Sequence, residues 1–283
     1  MNSTTINFRL GELIGAALAE DLGHGDITTQ ALVDTRLRCH AQVWAKDDGV
    51  VSGINVFRHV FDRLESDITD WTALHDGEAY EAGMVVAAFE GRAQTVLMGE
   101  RVALNLLQRL SGIAGLTAEY VKAAEGHGAA ICDTRKTTPL WRSLEKQAVV
   151  HGGGRNHRFG LYDGVLIKEN HIEACGGIGT AVRRAQENTH HLTRIQVEVQ
   201  SLEDLGEAVA AGADAALLDH MDNDTLAEAV KQGKAAGIIL EASGNMTLGR
   251  IPSVAATGVD IISVGALTHS APAADFSMII QTV

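Results

Sequence analysis

The sequence is poor in cysteine and proline and carries no surplus of positive charge. Its three cysteines, Cys39, Cys132 and Cys175, are odd in number and show no CxxC spacing. That excludes a disulfide framework and a cysteine zinc site, and it suits a reducing cytosol. Three prolines among 283 residues leave little room for rigid linkers. Lys and Arg number 23 against 36 Asp and Glu, a formal net charge of -13, so no general nucleic-acid or anionic-membrane surface is expected. Any site for an anion must then be a local concentration of cations. The N-terminal segment has no basic leader, and no stretch approaches the roughly 18 continuous apolar residues that span a bilayer. The expectation is a soluble, unprocessed, cytoplasmic protein. Gly-x-Gly-x-x-Gly is also absent, which removes the support for a dinucleotide site of the Rossmann kind.

What is abundant is glycine, 30 residues, together with a hydrophobic content of 46%, enough for a sizeable core broken by many tight turns. At 283 residues the chain exceeds one typical domain, so one large α/β domain or a large plus a small one is expected. Leu10, Leu13, Ile14, Ala17 and Leu18 recur at helical spacing and predict a first amphipathic helix that ends at the turn 21–26. Between residues 39 and 96 short alternating or β-branched runs are separated by Asp-Gly, Ser-Gly and Ala-Gly. They predict small antiparallel strands, interrupted by one helical stretch, NVFRHVFDRL. A long helix follows over about 95–125, with Val102, Leu106, Leu110 and Ile113 on one face. Arg101, Asn105 and Arg109 share its polar face, and that pattern by itself predicts exposure to solvent.

The second half repeats a unit. SLEDLGEAVAAGADAALLDH, NDTLAEAVKQGKAAGIILEASG and TLGRIPSVAATGVDIISVGA each run from a helix through a glycine to an apolar strand with a polar end. Ser201 and Asp204 have capping-box spacing, and Gly212, Gly237 and Gly258 sit where a helix should stop. AAICDTRK, GVLIKENH and IQVEVQ are read as earlier strands of the same series. Six parallel strands predict an α/β barrel, complete or incomplete, with a doubly wound sheet as the alternative.

Such strands share a C-terminal rim, where α/β barrels place their ligands. The rim holds Asp133, Glu169, His171, Glu241 and Ser263 together with three groups of distinct chemistry. Arg135, Lys136, His157, Arg158 and Lys168 suit a small polyanion, because guanidinium forks and ammonium groups pair with carboxylates and phosphates. Glu198 and Asp219 end successive strands and suit Mg²⁺ or sugar hydroxyls. EASGNMT and SVGALTHS place Ser and Gly between strand and helix, where backbone N–H groups can meet phosphate. Asp222, Asn223 and Asp224 lack the spacing of an EF-hand and are read as helix N-cap residues. Together the three groups describe a phosphorylated sugar, a metal and an anionic co-substrate.

The motifs EDLGHGDITT, ERVALNLLQRLSGIAG, DTRKTTP, GGGRNHRFGLYDGVLIKENHI, VEVQSLEDL, LLDHM, EASGNMT and GVDIISVGALTHSAPAADFSM occur in one order along nearly the whole chain. In this the sequence resembles the quinolinate phosphoribosyltransferase family. The resemblance implies an N-terminal α/β sandwich domain over 1–112, completed by about 272–283, and an incomplete α/β barrel over 113–271. It implies phosphoribosyl transfer from phosphoribosyl pyrophosphate (PRPP) to quinolinate with decarboxylation, giving nicotinate mononucleotide for NAD biosynthesis. It implies Mg²⁺ held by Glu198 and Asp219, and Lys136, Lys168, Glu198 and Asp219 as the catalytic set. Arg101, Arg135, His157, Arg158 and Lys168 are implied for quinolinate, and Ser243, Gly244, Gly265 and His269 for the phosphates of PRPP. A homodimer or a higher oligomer is implied, with Arg101 reaching the neighbouring subunit's site, which displaces the solvent reading for that residue. The chain departs from the family at Leu140-Trp141 (usually Gly-Leu), Gln147 (Tyr), His220 (Asn) and Asn245 (Gly). Three rival readings are a phosphoribosyltransferase for a different aromatic acid, a Schiff-base aldolase using Lys168, and a non-catalytic phosphosugar sensor.

Overall fold

The computed structural model describes residues 3–64 and 67–283, which divide into two compact units. The first comprises Met1–Leu116, Thr138–Gly153 and Ala271–Val283. Strand β1 (Arg38–Ala45) buries every second side chain, Cys39, Ala41, Val43 and Ala45, the period of a sheet with one face on a core. β2 (Gly49–Val50), β3 (Thr69–Ala73), β4 (Ala79–Tyr80) and β5 (Val85–Arg92) follow. The last strand of the chain, Phe276–Thr282, pairs antiparallel with β1, and β1 and β3 both pair antiparallel with β5. β2 and β4 form a separate ribbon. The helix Ile54–Arg63 lays Val56, Phe57, Val60 and Phe61 into the core, where Phe61 and Phe89 have ring centroids 5.0 Å apart. The C-terminal segment crosses the long helix Ala93–Ala123 at Gly112. A Cβ at that position would lie 1.9 Å from the Pro272 carbonyl oxygen, so only glycine permits the approach.

The segment Thr138–Gly153 also belongs to this unit, although the sequence places it inside the stretch 113–271. Its helix Arg142–His151 buries Leu144, Glu145, Ala148 and Val149. The buried Glu145 carboxylate accepts hydrogen bonds from Arg109 Nη2 (3.0 Å), Thr138 N (3.0 Å) and Thr138 Oγ1 (2.7 Å), while Arg109 Nη1 donates to the Ala271 carbonyl at 3.0 Å. Arg109 is therefore half-buried and bonded, not a solvent residue as its helix face suggested. Arg101 and Asn105 on that face are exposed.

The second unit, Thr117–Thr137 with Gly154–Ser270, holds six parallel strands. These are β6 (Ala130–Cys132), β7 (Val165–Ile167), β8 (Ile195–Val199), β9 (Ala215–Asp219), β10 (Ile239–Ser243) and β11 (Ile261–Ser263). They lie in the order β6-β11-β10-β9-β8-β7. A doubly wound sheet reverses direction partway along its strand order. Here each strand from β7 to β11 lies beside its successor, and the last returns to pair with the first, β11 with β6, as in a barrel. Among the described residues β6 and β7 do not pair, so the barrel is incomplete, and one isolated bridge, Cys132 with Arg155, lies against β6.

The connecting helices stop and start as their caps dictate. Ser201 Oγ accepts from Asp204 N at 3.1 Å, and Asp222 Oδ1 accepts from Thr225 N at 2.8 Å. Gly212, Gly237 and Gly258 take φ of +84°, +74° and +86° after their helices. No helix among the described residues is long and apolar enough to cross a membrane.

Candidate active site

The parallel strands are mostly apolar, and their polar residues gather toward one end. β9 buries Ala215, Ala216, Leu217 and Leu218 and then presents Asp219. This repeats around the sheet and opens a cavity of about 330 Å³ at the C-terminal ends. Arg135 and Lys136 enter it from the loop after β6, His157 and Arg158 from the segment beside β6, and Lys168 from the end of β7. Glu198, Asp219, Ser243 and Ser263 come from β8, β9, β10 and β11. Eight residues that the sequence singles out thus line one cavity: Arg135, Lys136, His157, Arg158, Lys168, Glu198, Asp219 and Ser243.

Three more stand next to that lining. Gly265 closes on Lys136 and His269, since a Cβ there would lie 3.1 Å from Lys136 Cδ and 3.1 Å from His269 Nε2. Thr268 Oγ1 donates to the Lys136 carbonyl at 2.8 Å, which joins the β6 and β11 loops. Gly244 has φ +94°, and a Cβ there would come within 2.8 Å of the His220 ring. Arg101 is exposed on the helix Ala93–Ala123 in the first unit.

The charges are set against one another. Lys168 Nζ is ion-paired with Glu198 Oε2. The Arg158 main-chain N–H donates to His157 Nδ1 at 2.7 Å, and Arg158 Nη1 donates to the Gly164 carbonyl at 2.8 Å. Burial, and then the nearby Arg135 guanidinium, press the Arg158 value down, with Asp163 opposing. Two cations crowded in this way favour any anion that enters between them.

The sequence places Asp133 and Glu241 on the rim without a role, and it does not place Arg250 there at all. Asp133, fully buried, accepts the His157 main-chain N–H at 2.8 Å. Glu241, 2% exposed, accepts from Gln196 Nε2 at 2.8 Å and faces His157 Nε2 at 3.4 Å. Burial alone would raise the Glu241 carboxyl, but hydrogen bonds from His157, Gln196 and Ser263 hold it below the ordinary glutamate value. Arg250 binds the carbonyls of Met221 (2.6 Å) and Gly244 (3.0 Å), tying together the loops after β9 and β10. The only sequence signal for these was the position of Asp133 and Glu241 on the strand ends.

Three of the departures from the family fall in positive-φ turns, while Trp141 and Gln147 do not. Leu140, His220 and Asn245 have φ of +70°, +57° and +48°. Asparagine and glycine tolerate that region, and a leucine there is strained.

Two family models match the chain: quinolinate phosphoribosyl transferase, N-terminal domain, over residues 26–111, and its C-terminal domain over residues 113–279. The probable nicotinate-nucleotide pyrophosphorylase (carboxylating) of Bacillus subtilis is 44% identical over 272 residues, covering 96% of this chain and 93% of that protein. Its counterpart in Methanothermobacter thermautotrophicus is 40% identical and covers 95% and 98%. The solved structure of the nicotinate-nucleotide pyrophosphorylase from Francisella tularensis superposes with a TM-score of 0.92 at 36% identity, covering 97% of each chain.

Proposed function

This chain belongs to the quinolinate phosphoribosyl transferase family, and we propose that its cavity joins quinolinate to the ribosyl group of PRPP with loss of CO₂. The products are nicotinate mononucleotide, pyrophosphate and CO₂, and the reaction is a step of NAD biosynthesis. The observation that carries the reading is the division of one cavity between a cationic wall, Arg135, Lys136, Arg158 and Lys168, and two carboxylates on adjacent strands, Glu198 and Asp219.

Quinolinate is a planar dianion. Bidentate guanidinium contacts from Arg135 and Arg158, with His157 in the same wall, hold its two carboxylates and turn the ring nitrogen toward C1 of the ribose. Orientation of this kind is worth several kcal/mol. The nitrogen displaces pyrophosphate through a transition state with oxocarbenium character. Lys136 neutralises charge on the departing pyrophosphate, and Glu198 and Asp219 hold the ribose hydroxyls. Ser243, Gly244, Gly265 and His269 receive the phosphates with main-chain N–H groups and small side chains. After transfer the positive ring nitrogen stabilises the electron pair that stays on C2 when the 2-carboxylate departs as CO₂. The resulting C2 carbanion accepts a proton, and no covalent enzyme intermediate forms.

Glu198 and Asp219 also fit Mg²⁺. Two carboxylates, one of them already shared with Lys168, form no all-protein cage, and among the described residues no cluster of three metal-ligating acids, histidines or cysteines occurs. Mg²⁺ binds in that manner, through one or two carboxylates and substrate phosphates. When bound it supplies neutralisation of pyrophosphate charge.

The enzyme acts as a homodimer in which Arg101 of one subunit completes the cationic wall of the other. Support comes from the exposure of Arg101 on the helix Ala93–Ala123. The cytoplasm is the proposed compartment, because Cys39, Cys132 and Cys175 are joined in no disulfide. The test is to incubate the protein with quinolinate, PRPP and Mg²⁺ and to quantify nicotinate mononucleotide and pyrophosphate. Equal amounts support the reading, and neither product from folded protein refutes it.

A further inference from the structure

His157 stands in the cationic wall, yet its ring nitrogens are engaged by the protein. The main-chain N–H of Arg158 points into Nδ1 at 2.7 Å. A main-chain N–H can only donate, so Nδ1 must present its lone pair and the ring proton must sit on Nε2. Nε2 in turn faces Glu241 Oε2 at 3.4 Å. The Glu241 carboxylate is itself fixed from below by Gln196 Nε2 at 2.8 Å, and the His157 main chain is fixed by Asp133 Oδ1 at 2.8 Å. A line of contacts therefore runs from the barrel interior, Gln196 to Glu241 to His157, and ends on the backbone of Arg158. The Arg158 guanidinium is held at its far end by the Gly164 carbonyl.

We propose that Glu241 is a positioning residue that keeps His157 in the neutral Nε2–H tautomer, so that the imidazole sets the Arg158 main chain and the arginines carry the charge toward a bound dicarboxylate. An imidazolium would need a proton on Nδ1, where the Arg158 N–H already points, and would drive that segment out of place. Glu241 is well suited to select the tautomer, because its buried carboxylate is an acceptor only. His157 then contributes shape and orientation to the wall, not charge. A catalytic base at this position would need a ring nitrogen free to face the substrate, whereas Nδ1 meets the Arg158 N–H and Nε2 meets Glu241.

The inference rests on the proposed activity for its kinetic consequence but not for its structural one, and the test separates the two. Long-range ¹H–¹⁵N spectra of protein labelled at histidine report the tautomer with no substrate present. Among the twelve histidines, the signals of His157 are those lost in His157→Asn. A neutral Nε2–H pattern at pH 7.5 is expected; an Nδ1–H or imidazolium pattern overturns the proposal. In Glu241→Ala that pattern should be lost, the KM for quinolinate should rise about tenfold or more, and the KM for PRPP should stay within about twofold. Equal changes in both constants, or none, would overturn it, because a merely structural loss does not distinguish the substrates. Glu241→Gln keeps an acceptor and should retain the Nε2–H pattern with a quinolinate KM between the two. If the alanine variant does not fold, loss of the pattern in the glutamine variant overturns the proposal. Absence of turnover in the unmutated enzyme would sink the activity and leave the spectra to decide the tautomer.

Discussion

The Lys168 ammonium and the Glu198 carboxylate form an ion pair at the ends of β7 and β8, just beyond the paired residues Ile167 and Val197. A Schiff-base lysine must present a free amine to a carbonyl, whereas this one is engaged by a carboxylate. Borohydride should trap no adduct with carbonyl substrates, read by intact-protein mass. Lys168→Ala should lower kcat/KM for quinolinate by about 10- to 100-fold, the loss of one charge-assisted hydrogen bond of about 1.5–3 kcal/mol. A stable reduced adduct on Lys168 would restore the aldolase reading.

Arg101 and Lys136 are assigned to one reaction but stand in different units of the chain. If Arg101 serves the neighbouring subunit, Arg101→Ala and Lys136→Ala proteins, each inactive alone, complement when mixed after reversible dissociation. Half of randomly paired dimers are hybrids, and each hybrid has one intact site, so about a quarter of wild-type activity should return. No recovery from verified hybrids would place Arg101 in its own subunit's site or outside any.

Leu140 has φ +70° and a side chain 90% exposed. The left-handed conformation costs a leucine about 1–2 kcal/mol, and glycine gives back about 0.5–1 kcal/mol through its freer unfolded chain. Leu140→Gly should therefore stabilise the protein by roughly 0.5–1 kcal/mol, seen as a higher urea midpoint at unchanged slope. A midpoint lowered by as much as for an ordinary leucine-to-glycine change would contradict this.

Tyr80 is buried in the first unit, and burial, helped by Asp47 and Asp48, pushes its phenol well above the ordinary value of 10. A raised folded value means stability that is complete below pH 10 and lost as pH rises beyond it, because unfolded chains ionise first. The unfolding free energy of the wild type should fall more steeply than that of Tyr80→Phe between pH 9.5 and pH 11, by about 1.4 kcal/mol per pH unit at most. Parallel slopes would show that the phenol titrates normally.

The rim of the barrel was legible because the parallel strands are mostly apolar and gather their polar residues toward one end, as at Leu218-Asp219 and Ile167-Lys168. Period and capping also located the helices, with Asp222 acting as an N-cap. What periodicity did not yield was partnership across long sequence separations. Arg109 reads as a solvent residue on its helix face, yet its partners Glu145 and Ala271 lie 36 and 162 residues away. The choice between a barrel and a doubly wound sheet depended on β11 pairing with β6, a contact that no local pattern encodes. Glu241 was visible at a strand end, but its task became readable only once His157, 84 residues earlier in the chain, stood beside it. The assignments of Arg101 and His269 came from the family motifs, whereas Ser243, Gly244 and Gly265 were placed by the glycine turns between strand and helix.

The central claim is that transfer to the ring nitrogen makes the 2-carboxylate leave. Quinolinate labelled with ¹³C in that carboxylate, incubated with the enzyme and Mg²⁺ with or without PRPP, tests it directly. The account predicts labelled CO₂ only with PRPP, one for each nicotinate mononucleotide formed; labelled CO₂ without PRPP, or a nucleotide that keeps the label, would contradict it.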